Sequence, residues 1–327
     1  TMPRGAPRGF CISQSTPQVL LQSLCSYILT NQARQDEMTH NDEAQLRKFS
    51  NHRQAFEHFT SERIKMSRPA VGFSLCEGDP YARPQTSRIG GRPALEDSEK
   101  WPSDPRTGLP MTFLAQIDLA ANPRVHFLPS HGLLQFFVAR TEDFGCNFPS
   151  YGTPQERAGF MVRLLRPEAI LDVPDSVPGP DYFDLSPLVT KEALAIQGIE
   201  ITMQPSMDCE FDMESNPELQ NAFNAFTDAD VSNDDLNKYE DAIYKSLDAE
   251  GEELPFFILT LGGYPSFTQM DIRMDSDRIV DMAPLLTMQS RGGLISWVDC
   301  GIANFFVNPE KSAQGDFSDT AYSWDCH

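Results

Sequence analysis

Gln116 and Gln289 each interrupt an apolar run, Phe113-Leu114-Ala115-Gln116-Ile117-Asp118 and Leu285-Leu286-Thr287-Met288-Gln289. A glutamine in a buried strand must satisfy its amide, either by pinning nearby backbone or by facing a cleft and binding a peptide. Asp118, Trp297, Asp299, Trp324 and Asp325 stand beside such runs, so with the two glutamines they are the candidate binding residues. Asp299-Cys300 and Asp325-Cys326 offer a second chemistry, a thiol nucleophile with His126 or His131 as base. No spacing orients that triad, and local packing or a turn is the favoured reading of the recurring Asp-Cys dipeptide. No catalytic residue is therefore assigned.

No metal and no cofactor are expected. The six histidines are dispersed and no C-x-x-C pair occurs. Asp228, Asp230, Ser232 and Asp234 begin like a calcium loop, but Asn233 and Tyr239 occupy the places of its glycine and its bidentate glutamate. Gly90-Gly91 and Gly262-Gly263 lack the flanking residues of a phosphate cradle and read as turns with positive φ, followed by Pro93 and Pro265.

A three-part phrase positions these residues, and it occurs twice. Gly90-Gly91-Arg92-Pro93, Phe113-Leu114-Ala115-Gln116 and Gly132-Leu133-Leu134-Gln135-Phe136-Phe137-Val138 form the first copy. Gly262-Gly263-Tyr264-Pro265, Leu286-Thr287-Met288-Gln289 and Gly301-Ile302-Ala303-Asn304-Phe305-Phe306-Val307 form the second, offset by 172, 173 and 169 residues. Three blocks in one order predict two duplicated halves. Gly301, Asn304 and Phe305 join the paired glycines and prolines as structural motif positions.

Strands are expected over Thr112–Leu119, Leu133–Ala139, Phe160–Leu165, Ile199–Met203, Phe256–Leu261, Ile279–Met282, Leu285–Gln289, Leu294–Val298 and Ile302–Val307, besides a short one at Val71–Leu75. Helices are expected after Thr16-Pro17, over Asp42–Ile64 and from Ser232 to about Ala249. The fold class is α+β: mostly antiparallel sheets in two duplicated halves, with covering helices and an N-terminal helical segment. Residues 1–66 form the tail and helices, and 67–327 a single domain with halves of about 67–190 and 191–327.

The formal net charge of −21 disfavours direct nucleic-acid binding and suits a basic protein or peptide partner. Fifteen acids and two lysines fall within 208–253. No apolar run is long enough to span a membrane. Seven scattered cysteines and the lack of a secretory signal predict a cytoplasmic protein with reduced thiols.

Ser87-Arg88-Ile89-Gly90-Gly91-Arg92-Pro93-Ala94-Leu95, Trp101-Pro102, the repeated blocks and the closing Trp324-Asp325-Cys326 resemble the YwqG-like family, also called domain of unknown function 1963. The resemblance covers about residues 69–327. It implies an α+β fold with internal duplication, and kinship with programmed-cell-death-protein-2-type chaperones of a ribosomal protein. Bacterial relatives beside toxin systems imply an immunity role. The resulting expectation is a non-enzymatic protein-binding module, chaperone-like or inhibitor-like toward a basic client. The alternatives are a cleft enzyme using Asp299/Cys300 or Asp325/Cys326, and a structural subunit of a larger assembly.

Overall fold

The computed structural model describes residues 52–96, 101–146, 159–166, 168, 170–172, 185–190, 192–206, 208–227, 257–274 and 279–327. Helix α1 (His52–Lys65) buries Ala55, Phe56 and Phe59 on one face. Eight strands follow: β1 (Arg68–Leu75), β2 (Arg88–Ile89), β3 (Leu95–Glu96), β4 (Thr112–Asp118), β5 (Leu133–Val138), β6 (Phe160–Leu165), β7 (Ile170–Asp172) and β8 (Leu194–Met203). Helices α2 (Glu210–Glu214) and α3 (Pro217–Thr227) precede β9 (Leu259–Gly262), a 3-10 turn at Ile272–Met274, β10 (Ala283–Gln289) and β11 (Ile302–Val307). Helix α4 (Pro309–Ser312) and β12 (Thr320–Asp325) close the chain.

Ten strands make one sheet in the order β12-β11-β10-β9-β1-β8-β2-β4-β5-β6. Every neighbouring pair is antiparallel. The sheet curls into a nearly closed barrel. Its outermost strands meet through side chains: Phe160 of β6 packs on Tyr322 of β12 at 5.4 Å between ring centroids. At one end of this seam Trp324 Nε1 donates to the Asp143 carbonyl, and at the other Ser312 Oγ donates to the Phe127 carbonyl. The apolar interior runs across the whole sheet, from Leu134, Phe136 and Val162 to Leu286, Phe305 and Tyr322. Burying each such side chain contributes on the order of 2 kcal/mol. Helices α1 and α3 share a second, smaller core of Phe56, Phe59, Phe223 and Phe226.

Two strand pairs have the same internal frame. The β4–β5 pairing skips Leu114 and the β10–β11 pairing skips Leu285, and both bulge residues are wholly buried. Beyond the bulge Gln116 lies opposite Gln135, and Thr287 opposite Asn304. Cross-strand register thus matches Gln116 with Thr287 rather than with Gln289, which is exposed at the strand end opposite Ile302. Gln135 Nε2 donates to the Ala94 carbonyl, and Asn304 Nδ2 to the Ser266 carbonyl.

The strands expected over Thr112–Leu119, Leu133–Ala139, Phe160–Leu165 and Ile302–Val307 form where the sequence placed them, and the one at Ile199–Met203 begins earlier, at Leu194. Two others do not form. Ile279–Met282 is a turn closed by Met282 N–H to the Ile279 carbonyl. Leu294–Val298 is also a turn: Gly293 reverses the chain with φ 79, and Leu294 and Ile295 N–H both bond the Arg291 carbonyl. β12 and α3 had no counterpart among the expected elements. The helices expected after Thr16 and at Ser232–Ala249, and the calcium-like loop, lie outside the described residues, as does the segment before His52.

Candidate functional site

The structure divides the seven candidate binding residues between two places. Gln116 and Asp118 sit on β4. Gln289, Trp297, Asp299, Trp324 and Asp325 gather where β10, β11 and β12 share one end of the sheet.

Gln116 is wholly buried, and every bonding position of its amide is used within the chain. Its Oε1 accepts from Ala94 N–H (3.0 Å) and Gln135 Nε2 (3.1 Å). Its Nε2 donates to the carbonyls of Pro84 (2.7 Å) and Thr86 (2.9 Å). Arg88, also wholly buried, gives Nη1 to the carbonyls of Pro80, Pro84 and Thr86 and Nε to that of Arg92. It lies over the Tyr81 ring at 4.9 Å, and burial pulls its guanidinium down to about 10. These bonds fix the loop leading into Gly90-Gly91, whose φ values are 67° and 68°. A Cβ on Gly91 would stand 2.2 Å from the Tyr81 hydroxyl, so only glycine fits there. Asp118, half-buried, closes the next turn by accepting from Ala120 N–H. This is a structural pin with no amide atom left for a ligand.

The Trp297 end is built differently. Trp297 is wholly buried, and its ring faces Phe144 at 5.6 Å and Trp324 at 6.3 Å. Its Nε1 is buried without a hydrogen-bond partner. Gly301 N–H bonds the Trp297 carbonyl, and the Asp299 carbonyl accepts from His327 N–H, so the turn after Trp297 is tied to the chain beyond β12. Val189 N–H to the Leu294 carbonyl and Ser296 N–H to the Pro187 carbonyl lay residues 185–190 alongside.

Backbone strain collects here. Among the described residues the non-glycine positions with positive φ are Phe144 (47°), Leu185 (64°), Val298 (58°) and Cys300 (52°). All four belong to the segments that gather around Trp297. A β-branched residue such as Val298 is costly in this conformation, by about 1–2 kcal/mol. Burial gives no compensation, since Val298 is 60% exposed and Leu185 45%. Val189, 47% exposed, adds to the same apolar face.

Beside this end, a polar cluster anchors residues 264–274 and α2. Arg273, buried, pairs with Asp212 at 2.7 Å and with Asp271, and Arg68 pairs with Asp212 at 3.0 Å. Asp208 Oδ2 accepts from Phe267 N–H, and Asp325 Oδ2 from Thr268 and Gln269 N–H. Burial holds the carboxyls of Asp208 and Asp325 above the usual range. Burial also pushes the Tyr264 phenol up to about 12, with Arg68 stacked on its ring and its hydroxyl donating to the Met66 carbonyl. Cys209, inside the cluster, is pushed well up by burial and stays a thiol donating to the Pro265 carbonyl. The sequence hid this cluster because its members are spread from Arg68 to Asp325.

The proposed thiol and imidazole pairing is not assembled. Cys300 and Cys326 stand at the Trp297 end, whereas His126 and His131 lie before β5, at the Ser312 end of the seam. A six-residue strand separates the two ends by about 20 Å. Among the described residues no group of three or more His, Cys, Asp or Glu is disposed to hold a metal ion, and no helix is long and apolar enough to cross a membrane.

The ten-stranded antiparallel frame and the Gly-Gly turn pinned by Gln116 place the chain in a class of proteins defined by architecture rather than by a known reaction. Residues 87–326, well over half of the chain, match the family described as Domain of unknown function (DUF1963), and the chain belongs to that family. No curated protein matches it.

Proposed function

We propose that the chain is a protein-binding module that holds a basic protein or peptide client at the Trp297 end of the sheet. The observation that carries this reading is the concentration of positive-φ residues around Trp297, two of which, Leu185 and Val298, present large apolar side chains to solvent. Strain held without a packing gain points to a use outside the fold. The net charge of −21, with Asp299 exposed beside Val298, favours a basic client. A chaperone-like or inhibitor-like role follows from the resemblance to the YwqG-like family. An enzyme using Asp299/Cys300 or Asp325/Cys326 is the weaker reading, because the imidazoles of His126 and His131 stand at the far end.

Affinity capture on the full chain at low and high salt tests the proposal, beside Val298→Asp and Val189→Asp. These positions are exposed, so the variants are expected to fold. Retention of the same clients by wild type and both variants would sink the assignment of this face. Clients held equally at both salts would sink the charge argument.

We also infer that the halves, about 67–190 and 191–327, arose by internal duplication with exchange of their first strands. The matched bulges, the two Gly-Gly turns and the Ala94 and Ser266 contacts support it. So does the pairing of β1 with β9 and of β8 with β2. Expressed separately, the halves are expected to fold only when mixed; independent folding of either would refute the exchange.

A further inference from the structure

We propose that residues 265–270, between β9 and the 3-10 turn, form a proton-operated strap over the outer face of β11 and β12. The strap is clamped while Asp208 and Asp325 carry at least one proton between them, and it loosens when both are ionised. This goes beyond the protein-binding reading and does not depend on it.

The strap is attached by side chains. Among the described residues no N–H or carbonyl of 265–270 bonds another backbone group. Asp208 Oδ2 accepts from Phe267 N–H at 2.6 Å, and Asp325 Oδ2 accepts from Thr268 and Gln269 N–H, both at 2.9 Å. Asn304 Nδ2 donates to the Ser266 carbonyl at 2.7 Å, and the Cys209 thiol to the Pro265 carbonyl at 3.1 Å. Three successive amides thus rest on two carboxyl groups, one just before α2 and one ending β12.

Beneath the strap is a small core of its own. Phe267 packs with Ile272, Ile279, Met282, Phe306 and Ala321, apart from the main interior. A segment with no ladder bonds and a small core belongs to the part of a fold that opens first. Its release uncovers Phe306 and Ala321. The segment after the other Gly-Gly turn is held without titrating groups. There Ala94 N–H rests on Gln116 Oε1 and the Ala94 carbonyl on Gln135 Nε2, amides with no proton to gain or lose.

The charges around the two carboxyls set the sign. Asp208 faces Arg63 of α1, Asp271 and the Cys209 thiol, and Asp325 faces Asp208. Arg273 is taken by Asp212 and Asp271, and Arg68 by Asp212. Arg63 Nε donates to the Pro205 carbonyl, and the Tyr264 hydroxyl to that of Met66. Burial, with repulsion from a neighbouring carboxylate, holds both Asp208 and Asp325 above the usual range. Their stabilising contribution is full below the ordinary carboxylate range and is lost as pH rises through the raised values. The strap is therefore tightest in acid.

The test is amide exchange on the full chain from about pH 4 to about pH 8, each rate divided by that of an unstructured chain at the same pH. The quantity read is the protection of Phe267, Thr268 and Gln269 relative to that of Ala94 N–H, so that global opening cancels. This ratio is expected to fall about tenfold as pH rises, the equivalent of one pKa unit at one carboxyl. Asp208→Asn and Asp325→Asn keep an oxygen for the amides but lose the charge, and each is expected to flatten the fall. A ratio that stays level or rises with pH overturns the strap, as does a fall that persists undiminished in both variants. If a variant does not fold, the wild-type ratio decides alone. Client retention is not read here, so the strap and the Trp297 face fail or stand separately.

Discussion

The turn at Gly90-Gly91 and the turn after Trp297 both place consecutive or near-consecutive residues in the left-handed region, and they meet that demand in opposite ways. At the first, glycine adopts φ 67° and 68°, and Gln116 beneath it has its amide fully bonded. At the second, Val298 and Cys300 adopt φ 58° and 52°, and the buried atoms Trp297 Nε1 and Asp325 Oδ1 have no partner. The first turn positions strands without backbone strain on a side-chain-bearing residue, although Arg88 Nη2 is buried there without a partner. The second carries strain and unmet bonding capacity on an exposed apolar face, and these are what a binding surface would draw on. The contrast assigns stability to one turn and recognition to the other, and each substitution below is aimed at one side of it.

The largest effect is expected from Gln116→Met. It strands Ala94 N–H in a buried site and takes one of two donors from the Pro84 and Thr86 carbonyls, which keep Arg88 Nη1, and should cost about 3 kcal/mol in denaturant unfolding. Gln289→Met, on an exposed strand end, should stay within ~0.5 kcal/mol. Similar losses for the two would erase the distinction drawn between them.

Gly91→Ala comes next. It meets the Tyr81 hydroxyl at 2.2 Å and the Ala193 Cβ at 2.5 Å and needs a positive φ of an L residue. A loss of about 2–3 kcal/mol is expected from strain and crowding together. A neutral result by thermal or chemical unfolding would mean that the first turn is not held by sterics.

Much of this frame is legible in the chain. The runs at Thr112–Asp118, Leu133–Val138 and Ile302–Val307 are short and mostly apolar, as buried strands are. What the sequence conceals is register. Gln116 and Gln289 look equivalent because both are glutamines at the end of an apolar block, yet the bulges at Leu114 and Leu285 set Thr287 opposite Asn304 and leave Gln289 at the rim. Leu294–Val298 has strand-like composition, but cross-chain bonds to Pro187 and Arg291 fold it into a turn. The site is half legible. Trp297, Asp299, Trp324 and Asp325 are visible as motif neighbours. The strain at Val298 and the ion cluster of Arg68, Asp212, Asp271 and Arg273 arise only from tertiary contacts.

Asp325→Asn probes the second turn through pH. Burial, with a contribution from Asp208, holds the Asp325 carboxyl above its ordinary value. A raised folded-state value means its stabilising contribution is full below the ordinary carboxylate range and is lost as pH rises through that raised value. The wild type should therefore lose stability relative to Asp325→Asn as pH climbs out of the acid range, with a gap within ~1 kcal/mol. Asp208 titrates in both proteins, and because the two carboxyls repel each other it adds to the gap in the same direction. A gap that opens toward acid instead would mean that the ionised carboxylate is the favoured form in the fold, and the case for an unmet oxygen would fail.

Val298→Gly is expected to have a small effect on stability and the most telling one on the contrast. Glycine removes the left-handed penalty of about 1–2 kcal/mol and gives back ~0.5–1 kcal/mol through the greater freedom of the unfolded chain. The net result should be a gain of about 0.5–1 kcal/mol, read as a higher denaturation midpoint with an unchanged slope. The substitution also deletes the most exposed large apolar side chain among the described residues, so client retention should fall while the fold becomes firmer. A protein that gains stability and loses its client would show that the strained valine is kept for contact. If stability drops instead, Val298 is packed into the turn in a way that offsets its backbone, and the two turns differ less than their geometry says.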